Sequence, residues 1–175
     1  MDVSKKVPVV ILNGFLGSGK TTLFRSLLGQ SKKKGVAVSA IVNDMSELDV
    51  DGELLGNTDV VENDNSILES ISSCVLSSKI GIEKLDKAIK KLLKNKIPEL
   101  IIIETSGSCH PMPLIEYFKE QTSVKLTGLF TLVDSLMLAH DFNYGERLIP
   151  KLQQNMMDGK RDTINLLIEQ ILFCS

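Results

Sequence analysis

The stretch Gly14-Phe-Leu-Gly-Ser-Gly-Lys-Thr21 constrains this chain more than any other segment. It has the spacing G-x-x-x-x-G-K-[ST] and follows at once on Val7-Pro-Val-Val-Ile-Leu12, a continuous apolar run of the kind found in a strand buried on both faces. Beyond it, Leu23, Leu27 and Leu28 recur at helical spacing, up to a basic end at Lys32, Lys33 and Lys34 before Gly35. A strand, a glycine-rich loop and a helix in that order make an anion cradle. Glycines let backbone N–H groups close around a phosphate, and the helix N-terminus adds the positive end of its dipole. The expected phosphate contacts are Gly14, Gly17, Ser18, Gly19, Lys20, Thr21 and Thr22. Lys20 is expected to reach the β- and γ-phosphates, and Thr21 to set its hydroxyl on Mg²⁺.

The rest of the chain alternates in the same way. Val36 to Val42 reads as a second strand and Asn43 to Asn57, rich in Asp, Glu and Gly, as a long polar loop. A short strand is expected near Asp59 to Glu62, then an irregular stretch holding Cys74, then an amphipathic helix around Ile82 to Leu93. Lys84, Lys87, Lys90, Lys91, Lys94 and Lys96 decorate that helix and read as a solvated face. Pro98 opens a strand over Leu100 to Ile103 that ends at Glu104, and Val124 to Val133 supplies another that ends at Asp134. Ile164 to Ile171 reads as helix, with Leu172-Phe173 turning back to strand. Buried strands alternating with helices imply βαβ crossovers and a mostly parallel sheet covered on both sides. The expected fold is therefore α/β, a P-loop NTPase domain of three α/β/α layers, single over residues 1–175.

Composition removes other classes. Net charge is −2, and Lys and Arg are spread over several segments, so no broad cationic face is expected for nucleic acid. Apolar runs are strand-sized, far below the roughly 18 residues that would span a bilayer. Met1 to Lys6 leads directly into a strand without an apolar signal segment, and the three cysteines Cys74, Cys109 and Cys174 are odd in number and widely separated. A cytoplasmic protein with reduced thiols is the expectation.

A second acidic element is expected at the end of another strand, and Ile101-Ile-Ile-Glu104-Thr-Ser-Gly107 supplies it. Glu104 is placed to hold the Mg²⁺ shell or orient water, and Gly107 to bring its backbone N–H to the γ-phosphate. Lys20 and Glu104 are the catalytic candidates. Asp51, in Val50-Asp-Gly52, is either a further Mg²⁺ ligand, a switch residue or simply a turn former. Asp134 is expected to cap the helix that follows it, His140 to be exposed, and the Met156-Met157 pair to pack against the core.

Several motifs together resemble the CobW-type family of GTPases, relatives of the hydrogenase- and urease-maturation GTPases that insert metals. Gly14 to Thr22 looks like the family P-loop, and Asn43-Asp-Met-Ser-Glu47 with Val50-Asp-Gly52 is similar to its Asn-Glu-Phe-Gly-Glu and Ile-Asp-Gly segment. Glu104-Thr-Ser-Gly107 followed by Pro111 and Pro113, Thr131-Leu-Val-Asp134, and Glu169-Gln170-Ile171 resemble later motifs in order. The resemblance implies GTP as nucleotide, Mg²⁺ as cofactor, and hydrolysis coupled to delivering a metal, often zinc or cobalt, to a client metalloprotein. Two departures bear on that. Where the family has Cys-x-Cys-Cys, a soft thiolate site, this chain keeps Cys74 with Leu76 and Ser77 at the other two positions. Cys109 and His110 could be recruited beside Cys74, or be a small buried thiol and an exposed loop histidine. The chain also ends where the strand leading to the guanine-reading Asn-Lys-x-Asp would begin, so GTP over ATP rests on kinship. A missing C-terminal strand is expected to leave a sheet edge open to homodimer formation. The alternative expectation is a weakly active or inactive nucleotide-binding module without metal transfer.

Overall fold

Alternate residues of the first strand serve two different cores. In the computed structural model, which describes residues 6–44, 67–95, 97–160 and 163–174, β1 (Val7–Gly14) sends Val7, Val9 and Ile11 into one apolar cluster and Leu12, with Val10 beside it, into another. Successive strand residues point to opposite faces, and both faces here are covered, which is why β1 reads as an unbroken apolar run. One face is closed by α2 (Lys79–Asn95) and α3 (Pro111–Glu120) through Leu85, Ile89, Leu92, Leu114 and Phe118. The other is closed by α1 (Lys20–Lys34) through Phe24 and Leu28.

With β2 (Val38–Asp44), β3 (Leu68–Ser72), β4 (Leu100–Glu104) and β5 (Val124–Leu132), β1 forms a five-stranded parallel sheet in the order β3-β2-β4-β1-β5. This is the expected α/β architecture. Parallel strands place all their C-terminal ends, and the loops leaving them, on one edge of the sheet, where ligands gather in such folds. A third cluster of Leu148, Leu167 and Ile168 joins α4 (Ser135–Phe142), α5 (Leu148–Met157) and α6 (Thr163–Leu172) to Phe15 of the glycine-rich loop. Among the described residues no helix is long and apolar enough to cross a membrane.

Several expectations are corrected. β3 lies in the stretch read as irregular. Ile71 is its one fully buried residue, so its apolar signal is faint, and parallel pairing from Ala40↔Leu68 to Asp44↔Ser72 defines it instead. β2 starts at Val38 rather than Val36, because the Gly35 and Val36 N–H groups close α1 by bonding to the carbonyls of Lys32 and Ser31 at 3.1 and 3.0 Å, a Schellman ending. Leu172 is helical, and the Phe173 N–H continues the pattern by bonding to the Glu169 carbonyl at 3.1 Å. Met156 and Met157 are 71% and 83% exposed, so they do not pack into the core. The expected strand at Asp59 to Glu62, Glu47 and Asp51 lie outside the described residues.

The lysine-rich face of α2 is solvated, as expected. Lys90 and Lys91 pair with Asp86 and Glu69 at 2.6 and 2.7 Å, while Lys84 Nζ donates to the Ser72 carbonyl at 2.9 Å.

Candidate functional site

The site begins where β1 ends. Gly14 has φ +135°, and a Cβ there would lie 2.2 Å from the Leu132 carbonyl oxygen, so only glycine lets β1 run this close to β5 and still turn. The loop then leads into α1, whose N-terminus after Gly19 is not capped by any side chain. The first-turn N–H groups of a helix have no intrahelical acceptor, and an uncapped end of this kind is an anion site. Ser18 Oγ is buried within the loop and has no hydrogen-bond partner among the described residues. A buried hydroxyl left in this way fits a loop shaped around a ligand.

Two charged side chains meet at this helix end. Lys20 is only 7% exposed, and its Nζ donates to the Phe15 carbonyl at 2.8 Å. Burial pushes its ammonium below the ordinary lysine range, with the nearby Glu104 charge pulling the other way. Glu104 is 6% exposed and stands opposite Leu12 in the β1–β4 register, so strand pairing carries it to the start of the loop. Thr21 Oγ1 donates to Glu104 Oε1 at 2.5 Å. A hydroxyl and a carboxylate, both hard oxygen donors beside an anion cradle, are a donor set that suits Mg²⁺.

The loop after β4 is tied down over this cradle. The Thr105 N–H bonds to the Leu12 carbonyl at 3.1 Å, and Thr105 Oγ1 donates to Asn13 Oδ1 at 3.0 Å. The same Asn13 oxygen accepts the Gly14 N–H at 2.8 Å, and Asn13 Nδ2 donates to the Cys109 carbonyl at 3.4 Å. From the far side, Gln170 Nε2 donates to the carbonyls of Gly107 and Cys109 at 3.3 and 3.1 Å. Gly107 rests directly on the phosphate loop, for a Cβ there would fall 2.7 Å from the Leu16 nitrogen. The structure thus brings Lys20, Thr21, Glu104 and Gly107 together with the loop from Gly14 to Gly19. Sequence reasoning missed Asn13, and it named Thr105 and Gln170 only as members of family motifs, with no contact assigned to either. The available signal was a polar residue closing an unbroken apolar strand, as in Leu12-Asn13, and an amide inside the apolar helix α6.

The cysteine turn has a different character. Cys74 is half-buried between β3 and α2, Leu76 is fully buried in the core, and Ser77 Oγ accepts the His110 N–H at 3.0 Å. Cys109 is fully buried, and desolvation pushes its thiol up to about 11. His110 Nδ1 lies 2.7 Å from Glu169 Oε2. These match the small buried thiol and the exposed loop histidine. Among the described residues no three His, Cys, Asp or Glu side chains converge to hold a metal ion. Asp134 caps α4 as expected, accepting from the N–H groups of Leu136 and Met137 at 2.8 and 3.3 Å, and His140 is exposed.

Comparison with known proteins gives a consistent picture. The family described as CobW/HypB/UreG, nucleotide-binding domain, matches residues 8–175. Zinc-regulated GTPase metalloprotein activator 1 of Dictyostelium discoideum is 32% identical over 186 residues, covering 97% of this chain and 38% of that protein. Zinc chaperone CobW of Sinorhizobium sp is 35% identical over 140 residues, covering 77% of this chain and 38% of its own length. Zinc chaperone YjiA of Escherichia coli is 29% identical over 146 residues, 78% of this chain and 43% of that protein. The chain therefore spans about two-fifths of the length of these relatives.

Proposed function

This chain belongs to the CobW/HypB/UreG nucleotide-binding family, and from that premise we propose that it binds GTP with Mg²⁺ and hydrolyses it slowly, as the nucleotide-dependent part of a cytoplasmic metal chaperone. The observation that carries the reading is the meeting of Lys20, Thr21 and Glu104 at the uncapped N-terminus of α1. Backbone N–H groups from Gly14 to Gly19, with Ser18 Oγ, cradle the β-phosphate, and Thr22 continues that contact. Lys20 trades its bond to the Phe15 carbonyl for phosphate oxygens, which also relieves the cost of its burial. Thr21 and Glu104 hold Mg²⁺, with Asp51 as a further ligand, and the ion supplies charge neutralisation during phosphoryl transfer. Glu104 also orients the attacking water, and Gly107 offers its N–H to the γ-phosphate.

The names of the relatives, zinc chaperones and a zinc-regulated metalloprotein activator, support zinc as cargo and a metalloprotein as client. Cobalt is the other metal the resemblance implies. A second reading is favoured by Leu76, fully buried in the core at a position where the family pattern has a thiolate. On that reading the chain is a nucleotide-binding module with weak turnover and no metal transfer. The nucleotide retained on purified protein, identified by chromatography, and hydrolysis by the parent and Lys20→Ala chains test both. Retained GTP or GDP with a Lys20-dependent rate supports the enzyme; equal rates in the two chains overturn it, and tight binding without turnover selects the module.

A further inference from the structure

One buried side chain at the end of β2 joins segments that the sequence keeps far apart. Asn43, 4% exposed, donates through Nδ2 to the carbonyls of Ile71 at 3.0 Å and Cys74 at 2.8 Å. Its Oδ1 accepts the N–H groups of Leu76 at 3.3 Å and Ser106 at 3.3 Å. An amide offers two donors and an oxygen with two lone pairs, so every hydrogen-bonding position of Asn43 is filled. Three of the four partners belong to the end of β3 and the turn that carries Cys74. The fourth belongs to the loop of Glu104 to Gly107. β2 lies between β3 and β4 in the sheet, so the end of this strand is the place from which one side chain reaches both.

The Ser106 partner matters because of its neighbour. Gly107 lies so close to Leu16 that a Cβ would overlap it, so a shift of Ser106 is a shift of the contact between this loop and the phosphate cradle. Buried polar networks that are fully satisfied move as units, since breaking any one bond leaves a desolvated group without a partner.

We propose that Asn43 is a positioning residue that couples the Cys74 turn to the nucleotide site, holding the Ser106–Gly107 backbone with one face of its amide and the Cys74 turn with the other. The inference rests on the nucleotide-binding reading above. A γ-phosphate seated against Gly107 fixes Ser106, Ser106 fixes Asn43, and Asn43 closes the turn around the Cys74 carbonyl. Linkage makes the effect reciprocal: whatever occupies the Cys74 thiol changes nucleotide affinity by the same factor.

Cys74 itself is the reporter. Cys109 is buried and Cys174 exposed, so a Cys174→Ser background leaves Cys74 as the accessible thiol among the three. The experiment measures Cys74 alkylation by iodoacetamide, read by mass spectrometry, with Mg²⁺ and either a non-hydrolysable GTP analogue or GDP. Nucleotide occupancy is followed separately with a fluorescent analogue. The analogue is expected to slow Cys74 alkylation at least about fivefold relative to GDP, within the usual range of coupling between sites. In Asn43→Ala and Asn43→Asp the ratio falls to about one while both nucleotides still bind. The Asp variant keeps the size and the accepting oxygens but sets a carboxylate against the carbonyls of Ile71 and Cys74, and it decides the matter if the Ala variant does not fold. Bound analogue with no change at Cys74, or a change that persists in the variants, overturns the coupling and leaves nucleotide binding intact. Failure of the parent chain to bind any nucleotide overturns the function, and the coupling with it.

Discussion

Replacing Gly107 with Ala measures how closely the two halves of the site touch. The added Cβ would lie 2.7 Å from the Leu16 nitrogen, 3.3 Å from the Phe15 carbonyl carbon and 3.5 Å from Leu16 Cα. All three are backbone atoms, which cannot swing aside as the end of a flexible side chain does. Ordinary contacts settle near 3.5 Å, so the loops must part by about 0.8 Å. Overpacking of this kind costs about 1–3 kcal/mol, reduced by about 0.4–1 kcal/mol because Ala is less free than Gly in the unfolded chain. A net loss of about 1–2 kcal/mol lowers the melting temperature by about 2–8 °C at this chain length. On the proposed function, the displaced Gly107 N–H would also leave the γ-phosphate. A hydrogen bond to a charged group is worth about 1.5–3 kcal/mol, so GTP affinity falls roughly 10- to 100-fold while GDP affinity holds. Gly29→Ala is the control of opposite sign. Gly29 sits inside α1 with nothing within 4 Å of its added Cβ, so the same substitution gains about 0.5–1 kcal/mol of helix stability. Urea midpoints at unchanged slope report the stabilities, and titration with a GTP analogue and with GDP reports the affinities. A Gly107→Ala chain as stable as its parent, with its GTP preference intact, refutes the close approach.

Three other outcomes follow from the same geometry. On the proposed function, Lys20→Met removes the cation that would reach the β- and γ-phosphates, so the rise in melting temperature on adding GTP and Mg²⁺ disappears. A Lys20→Met chain that keeps this rise contradicts the argument. Cys109 titrates at about 11 when folded and near the ordinary thiol value when unfolded, so between those values the folded chain holds the extra proton. Its contribution to stability is complete below the unfolded value and is lost as pH rises towards 11, and Cys109→Ala flattens this alkaline fall in denaturation curves taken at several pH values. Strand β5 has no neighbour on its outer side among the described residues, and Phe130 on it is 53% exposed, so we propose self-association through this edge. Size-exclusion elution that stays monomeric as concentration rises argues against it.

The P-loop was legible because its chemistry is local. Backbone N–H groups, a lysine and a threonine act within one turn of each other, so spacing alone specifies them, and the apolar run before them specifies the strand that presents them. Glu104 was legible only beside that loop: alone it reads as an ordinary strand-end carboxylate, and it is the phosphate cradle earlier in the chain that gives a second acidic strand end a use. β3 was not, because a single fully buried residue, Ile71, gives no period to detect. The roles of Asn13, Asn43 and Gln170 escaped for another cause, although the last two stand inside motifs shared with the family. Asn13 bonds to a carbonyl 96 residues away and Asn43 to an N–H 63 residues away, while sequence patterns report only on neighbours two to four positions apart. Each amide sits at a strand end or in a helix, where a polar residue looks like the start of a loop or a solvated face. The register of the sheet shows that the two asparagines face inward, and the packing of α6 against the loop after β4 shows it for Gln170.

Leu76 explains how the two ends of the site can diverge. It is fully exposed to the core and shielded from water, within the cluster that includes Leu85, Ile103 and Cys109, so a thiolate at this position would be a desolvated charge among apolar side chains. In this chain position 76 contributes packing instead of a ligand. Yet the wiring from the turn to the phosphate cradle does not depend on which side chains the turn carries. Asn43 holds the carbonyls of Ile71 and Cys74 and the N–H groups of Leu76 and Ser106, all of them backbone groups. Substitution at 76 or 77 therefore removes thiolates without cutting the hydrogen bonds that link the turn to Gly107. The chain carries one of the three thiols of the family pattern, and the strand-end amide that joins the turn to the Ser106–Gly107 loop is in place all the same.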